Sequence, residues 1–147
     1  GQGQVLANPL HLAVMYTAFS NSGSMITPYL IYKDDPSAEV WIDQAISKEH
    51  SSLLTEDLKA VVNNPAGSGY AVHRTDMELA GKTGTAELKS EQGTTGQEIG
   101  WFSVFTTDPS ASKPVLLTSM VESVEDKGGS TYVVKKDAAV LDSYFGS

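Results

Sequence analysis

The residues with the clearest chemical potential lie in one short run, Lys82-Thr83-Gly84-Thr85. The run places a cation, two hydroxyl groups and a glycine in a segment with the two-residue period of a β-strand. At a sheet edge, such a strand can accept an extended peptide, and Lys82 can hold a carboxylate or an alkoxide electrostatically. The backbone N–H of Thr85 is a candidate oxyanion donor. The alternative is that Gly81 and Gly84 merely permit close packing of an exposed strand.

A serine nucleophile activated by lysine needs both side chains one helical turn apart, in the pattern Ser-x-x-Lys. The pattern occurs once, as Ser110 and Lys113, between Asp108-Pro109 and Pro114. These prolines predict a turn that cannot hold a helical pair. We therefore expect Lys113 to be solvated and charged, and we interpret the match as chance. The chain also lacks the Ser-x-Asn or Ser-Asp-Asn element that accompanies a Ser-x-x-Lys nucleophile in active-site serine enzymes. We therefore predict no nucleophile in this chain.

No metal or cofactor is predicted. The three histidines, His11, His50 and His73, share no ligand spacing, and the chain has no cysteine. Residues 128–131, Gly-Gly-Ser-Thr, precede a predicted helix and could hold an anion on free N–H groups, although such glycines more often only form a turn.

Composition excludes some classes of function. The net charge of −8 argues against a nucleic-acid partner, since no basic surface could follow phosphates. No apolar run approaches the roughly 20 residues that span a bilayer. The chain opens on Gly1-Gln2-Gly3 without an initiator Met, which we interpret as a cut inside a longer protein.

Hydrophobic periodicity predicts an α+β fold in which helices flank an antiparallel sheet, with residues 1–147 forming a single unit. The predicted elements are a helix begun by Asn8-Pro9 and ended by Asn21-Ser22-Gly23, a hairpin of residues 28–33 and 39–42, a helix from Ser47 to Asn63, a three-strand meander of residues 77–88, 99–107 and 114–122, and a helix from about Tyr132. The first helix is expected to bury Leu12, Met15, Tyr16 and Phe19, with Ala13, Val14 and Ala18 widening the buried face.

The order of several segments resembles the class B penicillin-binding proteins. The similar segments are Gly1-Gln2-Gly3, Asn8-Pro9-Leu10, the run from Ala18 to Gly23, Pro28, the run from Ala80 to Ala86 and Gly100-Trp101-Phe102. The run from Gly84 to Lys89, the glycines near Gly93 and Gly96, and the run from Glu125 to Gly128 are most similar to the low-affinity, resistance-associated type called penicillin-binding protein 2a. The resemblance covers essentially the whole chain in one order.

This resemblance implies part of a D,D-transpeptidase, in which a serine forms an acyl-enzyme with a peptidoglycan stem peptide and is also acylated by β-lactams. Lys82 would orient the active-site hydroxyl network and attract the substrate carboxylate. Thr83 and Thr85 would bind that carboxylate, Thr85 N–H would serve the oxyanion hole, and Gly84 would keep the strand edge open. The Lys-Thr-Gly run is also one of the signatures of serine β-lactamases.

In such proteins the nucleophile lies upstream, so the chain is expected to be the C-terminal part of a transpeptidase domain and inactive alone. The parent would sit on the outer face of the bacterial cytoplasmic membrane, anchored by an upstream segment. Because the family fold adds strands and helices, we expect the chain to self-associate through an exposed strand edge or apolar surface. The alternatives are a β-lactam receptor sensor domain, a non-catalytic peptide-binding module and a class A β-lactamase.

Overall fold

A computed structural model describes residues 5–31, 34, 37–88, 96–108 and 110–146. Its elements, in chain order, are α1 (Pro9–Ser20), β1 (Met25–Ile26), β2 (Val40–Ile42), α2 (Lys48–Asn63), a 3₁₀ turn (Tyr70–Val72), β3 (Leu79–Leu88), β4 (Gln97–Thr106), β5 (Leu116–Glu122) and α3 (Ser130–Phe145). The described residues thus confirm the α+β class.

The main sheet is the predicted antiparallel meander, with the strand order β3-β4-β5. Its register sets Lys82 opposite Ser103, and Thr85 opposite Gly100. The first and third strands each begin two residues later than predicted, at Leu79 and Leu116. Of the predicted connection from 89 to 98, residues 89–95 lie outside the described residues, and Gln97 and Glu98 belong to β4.

Helices cover both faces of this sheet. On one face, side chains of α2 and α3 pack on β3 and β4 in a cluster whose buried members are Val62, Val72, Leu79, Phe102, Val104, Val133, Val134 and Leu141. On the other face lies α1, where the rings of Tyr16 and Phe19 lie 6.3 Å from that of Phe105, centre to centre. Because side chains alternate along a strand, β3 presents successive residues to these two helical layers.

The predicted start of α1 is confirmed, but its buried face is partly wrong. The Asn8 side chain accepts a hydrogen bond from Leu10 N and caps the helix, and Pro9 is the first helical residue. Val14 and Ala18 are buried as expected, whereas Met15 remains 47% exposed. The described elements that pack on α1 leave Met15 at the surface.

The small hairpin exists, but its first strand was predicted in the wrong place. It lies at β1, paired with β2, and not at residues 28–33. Residues 28–31 form no strand, and residues 32 and 33 lie outside the described part. The pairing is anchored by Ile26 N, which donates to Thr17 Oγ1, and it stops before Pro28 because proline has no N–H to extend a ladder.

Candidate active-site strand

The Lys82–Thr85 run lies in the middle of β3, which among the described residues pairs with β4 on one edge only. Lys82 and Gly84 face the α1 layer, and Thr83 and Thr85 face the α2 and α3 layer. The Lys82 side chain is exposed, and its Nζ donates to the Thr83 carbonyl oxygen at 3.1 Å. The ammonium group therefore curls back along its own strand.

Both threonine hydroxyls are held by other parts of the chain. Thr83 Oγ1 lies 2.8 Å from Ser68 Oγ, in the loop that follows α2. Thr85 Oγ1 accepts a hydrogen bond of 3.2 Å from Ser130 N, at the first turn of α3. Two hydroxyls on one face of the strand are thereby fixed by two separate elements.

The glycines on β3 do different things. A Cβ at Gly81 would lie 2.7 Å from the Ser103 carbonyl oxygen, closer than packed atoms allow, so close packing explains this glycine. Among the described residues, a Cβ at Gly84 would meet only Trp101 Cβ, at an ordinary 3.5 Å. The packing explanation therefore fits Gly81 and is not required for Gly84.

A hydroxyl cluster lies beside Lys82 on the α1 face. Ser103, directly across from Lys82, has its Oγ 3.1 Å from Thr118 Oγ1. Burial raises the pKa of the Tyr16 hydroxyl above its ordinary value, while a hydrogen bond with Ser103 acts in the opposite direction. These hydroxyls therefore stay uncharged near neutral pH.

The isolated Ser-x-x-Lys match lies in a turn, as predicted. Ser110 Oγ donates to Asp108 Oδ1 at 2.7 Å, and Lys113 Nζ donates to the Tyr144 carbonyl at 3.4 Å. The hydrogen bonds from the side chain and backbone of Ser110 lower the pKa of Asp108. Serine and lysine are thus bonded to different partners, and no helix holds them together.

Two of the three candidate histidines contact other side chains. His11 packs edge-on against Trp41, and His73 stacks on Tyr70 and bonds Asn63. Within the described ranges, no group of three or more potential metal ligands occurs. One surface depression in the described part of the chain, of about 640 Å³, is lined by α3 residues Ala139, Val140, Ser143 and Tyr144 and not by the Lys82–Thr85 run.

Sequence reasoning missed Ser68 as a neighbour of the site. The run Gly67-Ser68-Gly69 is typical of a loop, and a chain position 15 residues before Thr83 carries no signal of contact. Residues 128–131, the candidate anion-binding run, lie beside the site, since Ser130 N bonds Thr85. No helix in the described part of the chain is long and apolar enough to cross a membrane.

Comparisons with known proteins agree on one family. The model of the penicillin-binding protein transpeptidase domain matches residues 1–141. Penicillin-binding protein 3 of Bacillus subtilis (strain 168) is 44% identical over 137 residues, which are 92% of this chain and 20% of that protein. The chain therefore spans about a fifth of the length of this curated relative.

Two solved structures share the fold. One is the transpeptidase domain of Burkholderia pseudomallei penicillin-binding protein 3 without ligand, with a TM-score of 0.70 and 21% identity, matching 93% of this chain and 41% of that one. The other is a protein of Atopobium parvulum described as a peptidoglycan glycosyltransferase, with a TM-score of 0.69 and 22% identity, matching 96% of this chain and 34% of that one.

Proposed function

Because this chain belongs to the family of penicillin-binding protein transpeptidase domains, we propose that it forms part of a peptidoglycan D,D-transpeptidase. A serine of the full-length protein, outside this chain, attacks the penultimate D-Ala carbonyl of a stem peptide. The terminal D-Ala leaves, and an acyl-enzyme ester forms. The amine of a neighbouring stem peptide then attacks the ester, which creates the cross-link and releases the serine. β-Lactams acylate the same serine.

The observation that carries this proposal is the pair of supported hydroxyls on an open strand edge. Thr83 and Thr85 lie two residues apart on one face, roughly 7 Å along the strand, and each is bonded to another element. A carboxylate between them can accept hydrogen bonds from both. Such bonds to an anion are the stronger kind, contributing about 1.5–3 kcal/mol each.

The same edge supplies oxyanion stabilisation. In an antiparallel edge strand, the N–H and C=O of one residue point in the same direction. The contact between the exposed Lys82 Nζ and the Thr83 carbonyl supports an outward direction for this carbonyl. Because the direction repeats every two residues, Thr85 N–H belongs to the same edge. Gly84, with no side chain, leaves room there for the ligand backbone.

Lys82 supplies the positive charge of the site. Its exposed ammonium attracts the substrate carboxylate and orients the hydroxyl network around the nucleophile of the full-length protein. Lys82→Ala in that protein should slow acylation by benzylpenicillin by about 100-fold or more, the size of losing one electrostatic stabiliser. Lys113→Ala, which removes an equal charge from the β4–β5 connection, is the control and should react normally. Acylation of Lys82→Ala at the unaltered rate would overturn the role of Lys82.

The 147-residue chain alone should not form an acyl-enzyme. Ser110, its one serine in the Ser-x-x-Lys pattern, bonds Asp108 and not a lysine, so no amine is positioned to remove its proton. A fluorescent penicillin should therefore leave the chain unlabelled while labelling the full-length protein. Covalent label on Ser110 would contradict this.

The subtype and location are also proposals. Similarity in the run from Gly84 to Lys89 supports a low-affinity, resistance-associated type, which should show slow acylation by benzylpenicillin in the full-length protein. That protein should be anchored with this domain on the outer face of the cytoplasmic membrane. Protease added to intact cells should then digest the domain, and its complete protection would contradict this location.

Self-association of the isolated chain is supported by its surface. β3 has one pairing edge open among the described residues, and the β2 side chains Val40, Trp41 and Ile42 are 54%, 51% and 42% exposed. Sedimentation of the chain at rising concentration should show oligomers. A monomer at all concentrations would contradict the proposal.

A further inference from the structure

The hydroxyl pair of Ser68 and Thr83 joins the candidate site to a loop that the proposed mechanism does not yet use. The two oxygens lie 2.8 Å apart, and either hydroxyl can donate. Both side chains reach the α2 and α3 face of β3, where Thr83 is only partly exposed and Ser68 is exposed. The contact therefore sits at the rim of the strand edge and not in the core.

The Ser68 loop is held closely to the end of α2. Gly69 N donates to the Val61 carbonyl at 3.0 Å, and Gly67 N donates to the Asn64 carbonyl at 2.7 Å. A Cβ at Gly67 would lie 2.2 Å from the Val61 carbonyl oxygen, so only glycine allows the loop this close. The loop thus has little freedom to move relative to α2.

The end of α2 is in turn tied to β3. Asn63 Nδ2 donates to the Leu79 carbonyl at 2.9 Å, and its Oδ1 lies 3.1 Å from His73 Nδ1. Behind the loop, a Cβ at Gly69 would lie 3.3 Å from the Phe102 ring, and Phe102 is the residue paired with Thr83. Ser68 is therefore held against Thr83 by a continuous chain of contacts.

This arrangement decides which way the Thr83 proton points when an anion is bound. A carboxylate can only accept hydrogen bonds, so the Thr83 hydroxyl must donate to it. The Ser68 hydroxyl must then be the donor to Thr83 Oγ1, filling the lone pair on that side. We propose that Ser68 is a positioning residue that directs the Thr83 proton toward the substrate carboxylate. The inference rests on the proposed function of the β3 edge.

A merely structural role predicts a different result. Because the hydrogen bond is exposed, water can replace it, and Ser68→Ala should leave the melting temperature nearly unchanged. If Ser68 is a positioning residue, Ser68→Ala should instead weaken the binding of ligands that carry the carboxylate anion. The binding of ligands without this charge should not change. The test therefore compares benzylpenicillin with its methyl ester, which lacks the carboxylate anion, on the full-length protein.

The dissociation constant of the initial complex and the acylation rate constant should be measured separately. With benzylpenicillin, Ser68→Ala should raise the dissociation constant about 5- to 10-fold, the size of one hydrogen bond, and change the rate constant less than about twofold. Ser68→Thr, which keeps the hydroxyl, should restore binding. Ser52→Ala, on the exposed side of α2, should behave as the unaltered protein. With the methyl ester, Ser68→Ala and the unaltered protein should react alike.

A double-mutant cycle tests the route of the effect. On a Thr83→Val background, Ser68→Ala should cause no further loss, because no hydroxyl remains to be directed. Equal losses with the acid and the ester, additive losses with Thr83→Val, or unaltered binding by Ser68→Ala would each overturn the proposal. If the unaltered full-length protein is not acylated, the proposed function itself fails. If the unaltered full-length protein is acylated but one of those three results is found, only the proposed role of Ser68 is rejected.

Discussion

The backbone amide of Ser130 donates a hydrogen bond to the hydroxyl of Thr85, although the two residues are 45 positions apart. The contact joins the first turn of α3 to the candidate site strand. The N-cap of α3 is Gly129, which has no side chain to accept a hydrogen bond from the amides of the first turn. Thr85 therefore takes over part of the cap's role, because it accepts one of the four amides that a helix start leaves without a partner.

Gly129→Ala should disturb this contact. Gly129 has φ +60°, and a Cβ there would lie 3.1 Å from Thr85 Oγ1. The backbone conformation alone should cost about 1–3 kcal/mol of unfolding free energy, and the added methyl should displace the Thr85 hydroxyl. Both the urea concentration at the unfolding midpoint of the chain and the acylation rate of the full-length protein should decrease.

Gly128→Ala is the matched control for that change. Gly128 also has positive φ, +92°, but a Cβ there would meet no atom of the described ranges within 4 Å. The control should lose stability for the same backbone reason and keep its acylation rate. Equal loss of acylation in both variants would mean that backbone strain, and not the Thr85 contact, matters to the site.

The glycines on either side of Lys82-Thr83 should differ in how much stability they lose when replaced by alanine. Gly81→Ala forces a methyl within 2.7 Å of the Ser103 carbonyl and should lower the unfolding free energy by about 1–3 kcal/mol. Gly84→Ala has ordinary space against Trp101 and should leave stability within about 0.5 kcal/mol. In the full-length protein, Gly84→Ala should still slow acylation about tenfold, a barrier change of about 1.4 kcal/mol, by narrowing the edge.

Denaturation curves and acylation rates for the two variants check this contrast. If Gly84→Ala unfolds as easily as Gly81→Ala, the room beside Trp101 has been misjudged. If it is stable and is acylated normally, Gly84 does not keep the edge open.

Local sequence signals were enough to predict most of the framework. Asn8-Pro9 and Ser47 are helix starts that depend on neighbours only two or three residues away, and both caps form. The two-residue period predicted the meander for the same reason. The first strand of the hairpin was misplaced because its position depends on Thr17, in α1, which bonds Ile26 N. A bond across nine positions leaves no local pattern.

The candidate site shows the same division. The types and spacing of Lys82 and Thr85 identified the strand, since its chemistry is contained in consecutive residues. Ser68 could not be identified, because its approach to Thr83 depends on how α2 ends and how the Gly67–Val61 contact brings the loop back. Long-range packing created this neighbour, and sequence periodicity carries no information about it.

A carboxyl group is buried on the inner face of α3. Asp137 is 3% exposed, on the helix face that also buries Val133 and Leu141. Ser119 Oγ donates to its Oδ1 at 2.7 Å, while Oδ2 has no hydrogen-bond partner among the described residues. Burial raises the pKa of Asp137 above its ordinary value of 3.8, and the Ser119 bond opposes that rise. The charged form is therefore disfavoured in the folded chain.

The sign of the resulting pH dependence follows from this raised pKa. The folded state binds the proton more tightly than the unfolded state does, so the stabilising contribution is complete below the unfolded pKa, near 3.8. It is lost as pH rises through the folded pKa, because the carboxyl must then ionise without a partner for Oδ2. Three carboxyl groups have lowered pKa values and act in the opposite direction, namely Asp76, Asp108 and Glu125. Their contribution to the stability of the folded chain is lost as pH falls.

Asp137→Asn should isolate the contribution of this carboxyl. The amide has the same size, keeps an oxygen for the Ser119 hydroxyl and cannot ionise. At pH 8 the variant should be more stable than the unaltered chain by about 1–3 kcal/mol, because the aspartate must then either bury a charge or bind a proton, and near pH 4 the difference should shrink toward zero. Urea denaturation of both chains from pH 4 to 8 measures the difference, and comparison at each pH cancels the other carboxyls. A difference that stays constant with pH, or grows toward acid, would show that Asp137 is not held in its neutral form by burial.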